Sequence, residues 1–583
     1  MSRAILLLLA LSSKLVFAQK PTLIEERAIN GLGFDIEFTL LAMPDSGFMA
    51  AGVSSSRHGL DKKQDSFTED LWLLKFDKNF NVIWEKIIGG SGQDWPREMC
   101  FTNDGNIVIA CRSNSGISGD KSESSRGGVD FWVIKIDLSG NIIWDKTIGG
   151  DNYDDARSIA ATPDGGVVLA GYSNSNQSFE KSENQYGNYD YWVVKLNNNG
   201  VLVWEKTLGG DGFDFVNDIL VDTNGDVYVG GYSWSNAGGT KSQNPVYKRY
   251  ADFWVVKLNL YGQMVWDRTI GSYTKDDLTS MCFSSDNNLL LAGYSGASIA
   301  YGDKSDVGRG KADFWLIKIN KNGNKLWDKT YGGGQSDFLR TVVSKGAYIY
   351  LVGSSESGIS GEKTEALKGH DDLWLLKLDQ NGSVLWDFSA GSNSYDEVRS
   401  MIIDMEGNII VSANILDEAS GDRSQDSYDW DGWVTKIKEC NIIPGPTDLA
   451  KNLIKGEEVV SFENCHNRIP LWFSSYISTK PFFEGLEYTK SGGFAMNTNF
   501  YIKCKENGCL SEDYGDLNID ILCPESLVLS EISNLNNYSI STIESNARLE
   551  DNANLFSGSY ILLKPGFDSN DNIFHAEIEA CLE

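Results

Sequence analysis

The chain predicts an all-β fold, a seven-bladed β-propeller closed by its N-terminal strand and followed by small disulfide-linked β modules. Two observations carry the propeller. An Asp-x-Trp-x-x-Lys pattern occurs seven times, with Trp at 72, 132, 192, 254, 315, 374 and 433, in steps of 59 to 62 residues. Six of these are followed, twelve residues on, by a second Trp, at 84, 144, 204, 266, 327 and 386. A fixed long period marks a repeat architecture. Within one period lie four short runs rich in β-branched and aromatic residues, bounded by Gly, Asn, Asp or Ser. In the second unit they are Arg97–Phe101, Ile107–Ala110, Phe131–Ile136 and Ile142–Ile148. Four strands per unit, seven units and no sustained helical period give a propeller.

The third observation closes the ring. Leu23-Ile24-Glu25-Glu26-Arg27-Ala28-Ile29 aligns with Val82-Ile83-Trp84-Glu85-Lys86-Ile87-Ile88. It reads as a fourth strand lacking its first three. The seventh unit, ending near Lys438, has three strands and no fourth. Joined, the fragments complete one blade and leave no free sheet edge.

In chain order, residues 1–18 read as a signal peptide: Arg3, the short apolar run Ala4–Leu11, then Val16-Phe17-Ala18 as a small-residue cleavage site. Lys14 keeps the run too short to span a bilayer. Export to the cell exterior follows, with the periplasm as the alternative compartment. The propeller is assigned to 22–438. Its hairpins are marked by Asp104-Gly105, Asp164-Gly165 and Asn224-Gly225 between strands one and two. Gly140, Gly200, Gly262, Gly323 and Gly382 mark the tight turns between strands three and four. Acid–base pairs after the second Trp, such as Glu85-Lys86 and Asp145-Lys146, are expected on the blade's outer edge, where charge discourages edge pairing.

Two residues repeat in all seven units: the link Asp (35, 94, 154, 214, 276, 337, 396) and the Lys three after the first Trp (75, 135, 195, 257, 318, 377, 436). Residues present in every blade suit structure better than chemistry. Turn capping for the Asp and inter-blade ion pairs for the Lys are expected.

The Asp-x-Trp-x-x-Lys strand, the Trp-Asp-Lys-Thr-x-Gly-Gly strand and Asp164-Gly165 followed by Ala170-Gly171-Tyr172-Ser173 together resemble the seven-bladed propeller repeats of secreted Bacteroidota proteins. The resemblance implies a scaffold or binding module.

Pro444-Gly445-Pro446 reads as a linker. Beyond it cysteine use changes. The propeller holds Cys100, Cys111 and Cys282, expected to be mostly unpaired, although Cys100 and Cys111 lie on adjacent strands and could meet. The remainder holds Cys440, Cys465, Cys504, Cys509, Cys523 and Cys581. In an exported small-domain region these read as three disulfides, with fifteen connectivities open. Residues 439–522, with Cys465, Trp472, Tyr501 and Cys504, look like an Ig-like β-sandwich. Residues 523–583, with Pro565-Gly566-Phe567, Phe574-His575-Ala576 and Cys581, resemble the three-coathanger stack domain of the same bacteria. Taken with these resemblances, the expected pairs are Cys465–Cys504, Cys523–Cys581 and Cys440–Cys509.

The balance of 81 acids against 51 bases, net −30, repels a phosphate backbone and argues against nucleic-acid partners. The four His, at 58, 370, 466 and 575, are scattered over three regions, without metal or nucleophile spacing. The oxygen-rich run 568–572 lacks the Gly and distal Glu of an EF-hand loop. No cofactor motif, metal motif or catalytic residue stands out. The reading is a non-catalytic binding or scaffold protein for an extracellular glycan or protein. The alternative is a polysaccharide-active enzyme such as a glycoside hydrolase, which needs a carboxylate pair that breaks the sevenfold pattern in the channel.

The blade turns between strands two and three are long and variable, as in 113–129, 173–189 and 233–251, and lie on the same side as the Gly-Gly links. Function concentrates on long loops held by a rigid frame. Ligand contact is expected on this face, through aromatics beside the link Asp: Trp95, Tyr153, Phe213 and Tyr395, with Phe34 in the N-terminal fragment.

Overall fold

The structure is a computed structural model that describes residues 20–439 except 67, 417 and 428, together with strand segments beyond 439. Two compact units form, Leu23–Ile437 and, separately, Met1–Thr22 with Lys438–Glu583.

The first unit is a seven-bladed β-propeller. Seven antiparallel four-stranded sheets follow one another in chain order, and among the described residues every regular element is a strand. In blade two the strands are Asp94–Phe101, Ile107–Ser113, Asp130–Ile136 and Ile142–Ile148, the first three longer than the sequence runs by residues at the links and loops. Blade seven takes three strands from Asp396–Ile403, Ile409–Ile415 and Asp431–Lys438, and its fourth, Thr22–Ile29, from the other end of the chain.

The core lies between blades. The second and third strands are covered on both faces, so their middle residues form continuous apolar runs, as in Phe131-Trp132-Val133-Ile134. The seven Trp of the third strands are fully buried. A buried indole N–H needs an acceptor. Outside blade one, where the Trp72 N–H has no hydrogen-bond partner among the described residues, it comes from the acid after the second Trp: Trp132 donates to Asp145 at 3.0 Å, Trp254 to Asp267 at 3.0 Å, Trp315 to Asp328 at 3.1 Å and Trp374 to Asp387 at 3.2 Å. These acids are therefore not edge guards. Strand alternation turns Asp145 inward, while Trp144 on the opposite face donates its indole N–H to the Asn198 carbonyl of the next blade's tight turn. The same inward carboxylate also accepts a loop N–H, as Ser122 gives to Asp145.

Closure reproduces this bond across the chain ends. Trp433 donates to Glu26 at 2.8 Å, and Glu26 also accepts the Ser424 N–H at 3.0 Å. Glu26 is the residue aligned with Glu85, so the N-terminal strand supplies what a fourth strand supplies.

The repeated Lys is corrected in one respect. It pairs chiefly within its own blade, with the acid of the strand one–two hairpin: Lys75–Asp45 at 2.8 Å, Lys135–Asp104 at 2.7 Å, Lys318–Asp286 at 2.9 Å. The reach to the next blade is to carbonyl or amide oxygens, as from Lys436 to the Lys78 carbonyl at 2.6 Å. Cys100 and Cys111 do not meet. Cys111 stands opposite Pro96 and Cys100 opposite Val108, in the cores on opposite faces of the sheet, and both are free, as is Cys282.

In the second unit the described strands include Ile469–Phe473 paired antiparallel with Thr498–Glu506, and Tyr560–Gly566 paired with Ile573–Glu579. The linker, four of the six C-terminal cysteines and residues 568–572 lie outside the described residues, and the other two cysteines, Cys504 and Cys509, lie in strands whose side chains are not described.

Removing the closing bond tests this architecture. Glu26→Ala leaves the Trp433 indole and the Ser424 amide without their acceptor, a loss of about 1–3 kcal/mol. A melting midpoint lowered by several degrees is expected. A variant lacking residues 19–31, which opens the ring, should melt far lower or aggregate. An unchanged midpoint in both would contradict closure.

Candidate functional site

The first strands line a central channel of about 630 Å³. In blades two to seven each carries a one-residue β-bulge three positions after its link Asp, between Pro96 and Glu98 in blade two and between Ala156 and Ser158 in blade three. A bulge re-aims a side chain. Here the bulge residues are Arg97, Arg157, Asn217, Thr279, Arg340 and Arg399, and all six line the channel. The Gly of Ala-Gly-Tyr-Ser stands near the bulge, where a Cβ on Gly171 would lie 2.1 Å from the Asp155 carbonyl oxygen. Blade one departs from the pattern, with two residues, Glu37 and Phe38, in the irregularity and Glu37 at φ +62°.

In blades two to five and seven the residue after the bulge caps a backbone N–H of the next blade. Glu98 accepts from Ile159 at 3.1 Å, Ser158 from Ile219 at 3.1 Å, Asp218 from Met281 at 2.6 Å and Ser280 from Val342 at 3.3 Å. Any acceptor fills this position. In blades two, three and four it is Glu98, Ser158 and Asp218, and the Ser158 hydroxyl lies within hydrogen-bond reach of both carboxyls. Burial, then repulsion from Asp218, raises the Glu98 pKa, and burial raises that of Asp218. A carboxylate pair that breaks the sevenfold pattern is thus present in the channel, but both members serve as backbone caps.

Above the bulges, on the long-loop face, the residues are not sevenfold. Asp155 is fully buried and takes Arg97 at 3.1 Å, Arg157 at 3.4 Å and Arg112 at 3.6 Å. Burial pushes its carboxyl up, but the guanidiniums of Arg97, Arg157 and Arg112 outweigh that and hold it below the usual range. Across the mouth, Glu397 takes Arg340 at 2.8 Å and Arg399 at 2.9 Å, and Glu37 takes Arg399 at 2.8 Å.

Three of the four expected aromatics belong to one connected cluster. The Arg112 guanidinium lies 4.0 Å over the Trp95 ring and donates to the Tyr153 hydroxyl at 3.1 Å. Tyr153 meets Tyr172 and Tyr189, and Tyr189 stacks on Phe213 at 6.2 Å. The cluster continues through Phe215 to Tyr232 and Trp234, where Lys275 lies 5.3 Å from the Tyr232 ring. Phe213 is 41% exposed. Tyr395, 42% exposed, stands apart in blade seven, stacked on His370 at 4.5 Å. Sequence reasoning missed Arg97, Arg112, Arg157, Tyr172, Tyr189 and Phe215. The signal was available: the third position after the link Asp varies where the Asp does not.

The repeated residues hold the loops. Each link Asp accepts a link N–H, for example Gly90 to Asp94 at 2.7 Å and Gly150 to Asp154 at 2.7 Å, so turn capping is found. The Asp of Asp-x-Trp lies beside it, under the first Gly of the link. A Cβ on Gly149 would sit 1.8 Å from the Asp130 oxygen. A buried loop Lys completes the group, Lys121 lying 5.2 Å from the Trp132 ring. Burial, with the neighbouring link carboxylate adding, pushes Asp130 up to about 6, Asp190 to about 7 and Asp252 to about 8. Burial lowers Lys121 and Lys241 to about 8.

The architecture and site define a seven-bladed β-propeller built from related repeats. A family described as SBBP, a β-propeller repeat, matches residues 206–237. Among curated proteins the chain is similar to an uncharacterized WD repeat-containing protein of Acanthamoeba polyphaga mimivirus, 18% identical over 445 residues, covering 59% of this chain and 32% of that protein. It is also similar to regulatory protein FlaEY of Caulobacter vibrioides, 23% identical over 422 residues, covering 65% of this chain and 43% of that protein. The matches span less than half of either relative. Of solved structures, the Neurospora crassa Pan2 WD40 domain superposes with TM-score 0.40 at 11% identity, covering 73% of this chain and 97% of that one. Drosophila Plexin A in complex with Semaphorin 1b gives 0.40 at 8%, covering 73% and 89%. Among the described residues no helix is long and apolar enough to cross a membrane.

The buried carboxyls set a pH dependence. A carboxyl whose folded pKa is raised contributes stability below its unfolded pKa, near 4, and loses it as pH rises through the folded value. Asp130, Asp190 and Asp252 place that loss between about pH 4 and pH 8. The lowered lysines contribute slope only above about 8. The melting midpoint should therefore be higher at about pH 5.5 than at about pH 7.5. A midpoint that climbs steadily over that interval would show that the carboxyls stay ionised in the fold.

Proposed function

We propose that this chain is an exported, non-catalytic binding module whose ligand sits on the long-loop face of the propeller. The signal-like residues 1–18 support export to the cell exterior, with the periplasm as the other compartment. The motifs shared with secreted Bacteroidota propellers, and the Cys, Trp and Pro-Gly-Phe signals of 439–583, support an origin in that group, with an Ig-like and a three-coathanger module held by disulfides.

The observation that carries the binding reading is the break in symmetry. A frame repeated seven times carries one connected aromatic and arginine cluster, from Trp95 through Tyr153 to Phe213, confined to blades two to four and facing the loops. Exposed aromatic faces beside hydrogen-bonding groups suit sugar rings or a protein hot spot, and a glycan is the ligand favoured here. The enzyme reading has one specific support, the Glu98–Ser158–Asp218 constellation. Because both carboxyls already cap backbone N–H groups at positions where serine serves elsewhere, the binding reading is preferred.

The test is a glycan array and protein pull-down with the full chain. Substituting Trp95, Tyr153, Phe213 and Tyr395 together by Ala, with folding checked by circular dichroism, should weaken the interaction at least about tenfold. Tyr261→Ser, in a tight turn on the opposite face, should leave it intact. Binding that survives the fourfold variant and is lost with Tyr261→Ser overturns the proposal. Turnover of a polysaccharide that Glu98→Gln abolishes would establish the enzyme instead.

A further inference from the structure

The mouth of the channel is electrostatically lopsided in a chain of net charge −30. On the blade six and seven side the charges cancel: Arg340 and Arg399 face Glu397 and Glu37, two bases against two acids. On the blade two and three side they do not. Arg97, Arg112 and Arg157 converge on Asp155 alone, three bases against one acid, which leaves an excess of two positive charges. Glu37, whose charge also reaches Arg97, is paired with Arg399, and Glu69, beside Trp95, is engaged by the Trp95 indole N–H at 2.8 Å and the Gln93 amide at 2.9 Å. Counting Glu69 still leaves an excess of one. Glu98, next to Arg97, is held toward its neutral form by burial and does not offset the arginines.

Partly buried like charges repel, and an uncompensated group of them is costly unless a counter-charge arrives. The side chains of Arg97, Arg112 and Arg157 are only 11%, 18% and 30% exposed. Each guanidinium carries five N–H donors in a planar fork. Arg112 spends one on the Tyr153 hydroxyl and Arg157 one on the Tyr172 hydroxyl, at 3.1 and 2.6 Å. Both phenols are pushed up by burial and by Asp155, Tyr172 to about 12, so they remain neutral hydroxyls, and each donates its proton to Asp155, at 3.3 and 3.1 Å, leaving the remaining guanidinium N–H groups as the donors for a ligand. The neighbouring rings of Trp95, Tyr189 and Phe213 supply flat apolar faces.

We propose that this arginine group at the channel mouth is an anion subsite, and that it takes the carboxylate of a uronic-acid residue within an acidic glycan. The carboxylate lies against Arg112 and Arg157 while adjoining sugar rings rest on the aromatic faces. This deepens the glycan reading above and rests on it. A planar carboxylate matches the guanidinium fork. The chain's overall negative charge does not forbid such a ligand, because at physiological salt distant charges are screened over about 8 Å and the local excess dominates.

Calorimetry with the full chain, using oligogalacturonate and the same oligomer with its carboxyls reduced to alcohols, separates the two claims. The acidic oligomer should bind at least about tenfold more tightly, with an affinity that falls as salt rises. Arg112→Gln and Arg157→Gln should each erase most of that difference, with the melting midpoint within a few degrees. Equal binding of the two oligomers, or an acid preference that survives both substitutions, overturns the anion subsite but leaves the glycan reading standing. Competition by inorganic phosphate as effective as by free galacturonate would overturn the assignment to a uronate. Failure of both oligomers overturns the subsite, and the glycan array then decides the wider reading.

Discussion

The hydrogen bond from a buried tryptophan N–H to an inward carboxylate is what the rest of this structure depends on. Seven indoles fill the spaces between blades, and six of them donate to an acid on the fourth strand, the Trp72 N–H of blade one being the exception. Because the same carboxylate also accepts a loop N–H, as Asp145 does from Ser122 and Glu26 from Ser424, one acid joins third strand, fourth strand and loop. The long loops are thereby held in the same way from blade to blade. Glu26 shows that the bond also closes the ring.

That constraint explains why the frame was legible in the sequence and the site was not. The Trp spacing, the Asp-Gly and Gly turns and the Glu26 alignment all reflect local rules repeated seven times. The acid after the second Trp was misplaced because adjacency says nothing about facing. Trp144, Asp145 and Lys146 alternate across the sheet, and only the Asp turns toward Trp132. Cys100 and Cys111 were separated by the same alternation together with the bulge between them. The bulges themselves carry no composition signal. They bring Arg97 and Arg157 into the channel by shifting register, and a strict period of two does not foresee that. Trp95, Tyr153 and Phe213 were singled out for standing beside the link Asp. Their joining through Arg112, Tyr189 and Asp155 required the neighbouring blades to be in place.

The molecule therefore divides its residues by symmetry. Those that recur, the Trp, the inward acids, the link Asp and the loop Lys, are spent on holding loops and blades. Those that occur once or twice, the guanidiniums around Asp155 and the rings from Trp95 to Phe213, lie on one arc of one face. Buried charge is tolerated in the first group because it is paired or neutralised. In the second it is left in excess, which is the physical basis for assigning recognition to that arc.

Hydrogen–deuterium exchange with and without oligogalacturonate tests this division most directly. The account predicts added protection in peptides covering 93–99, 110–114, 151–158, 186–191 and 211–216, and none in the tight turns at 138–141, 198–201 and 259–263. Protection spread evenly over all seven blades, or concentrated at those turns, would contradict it.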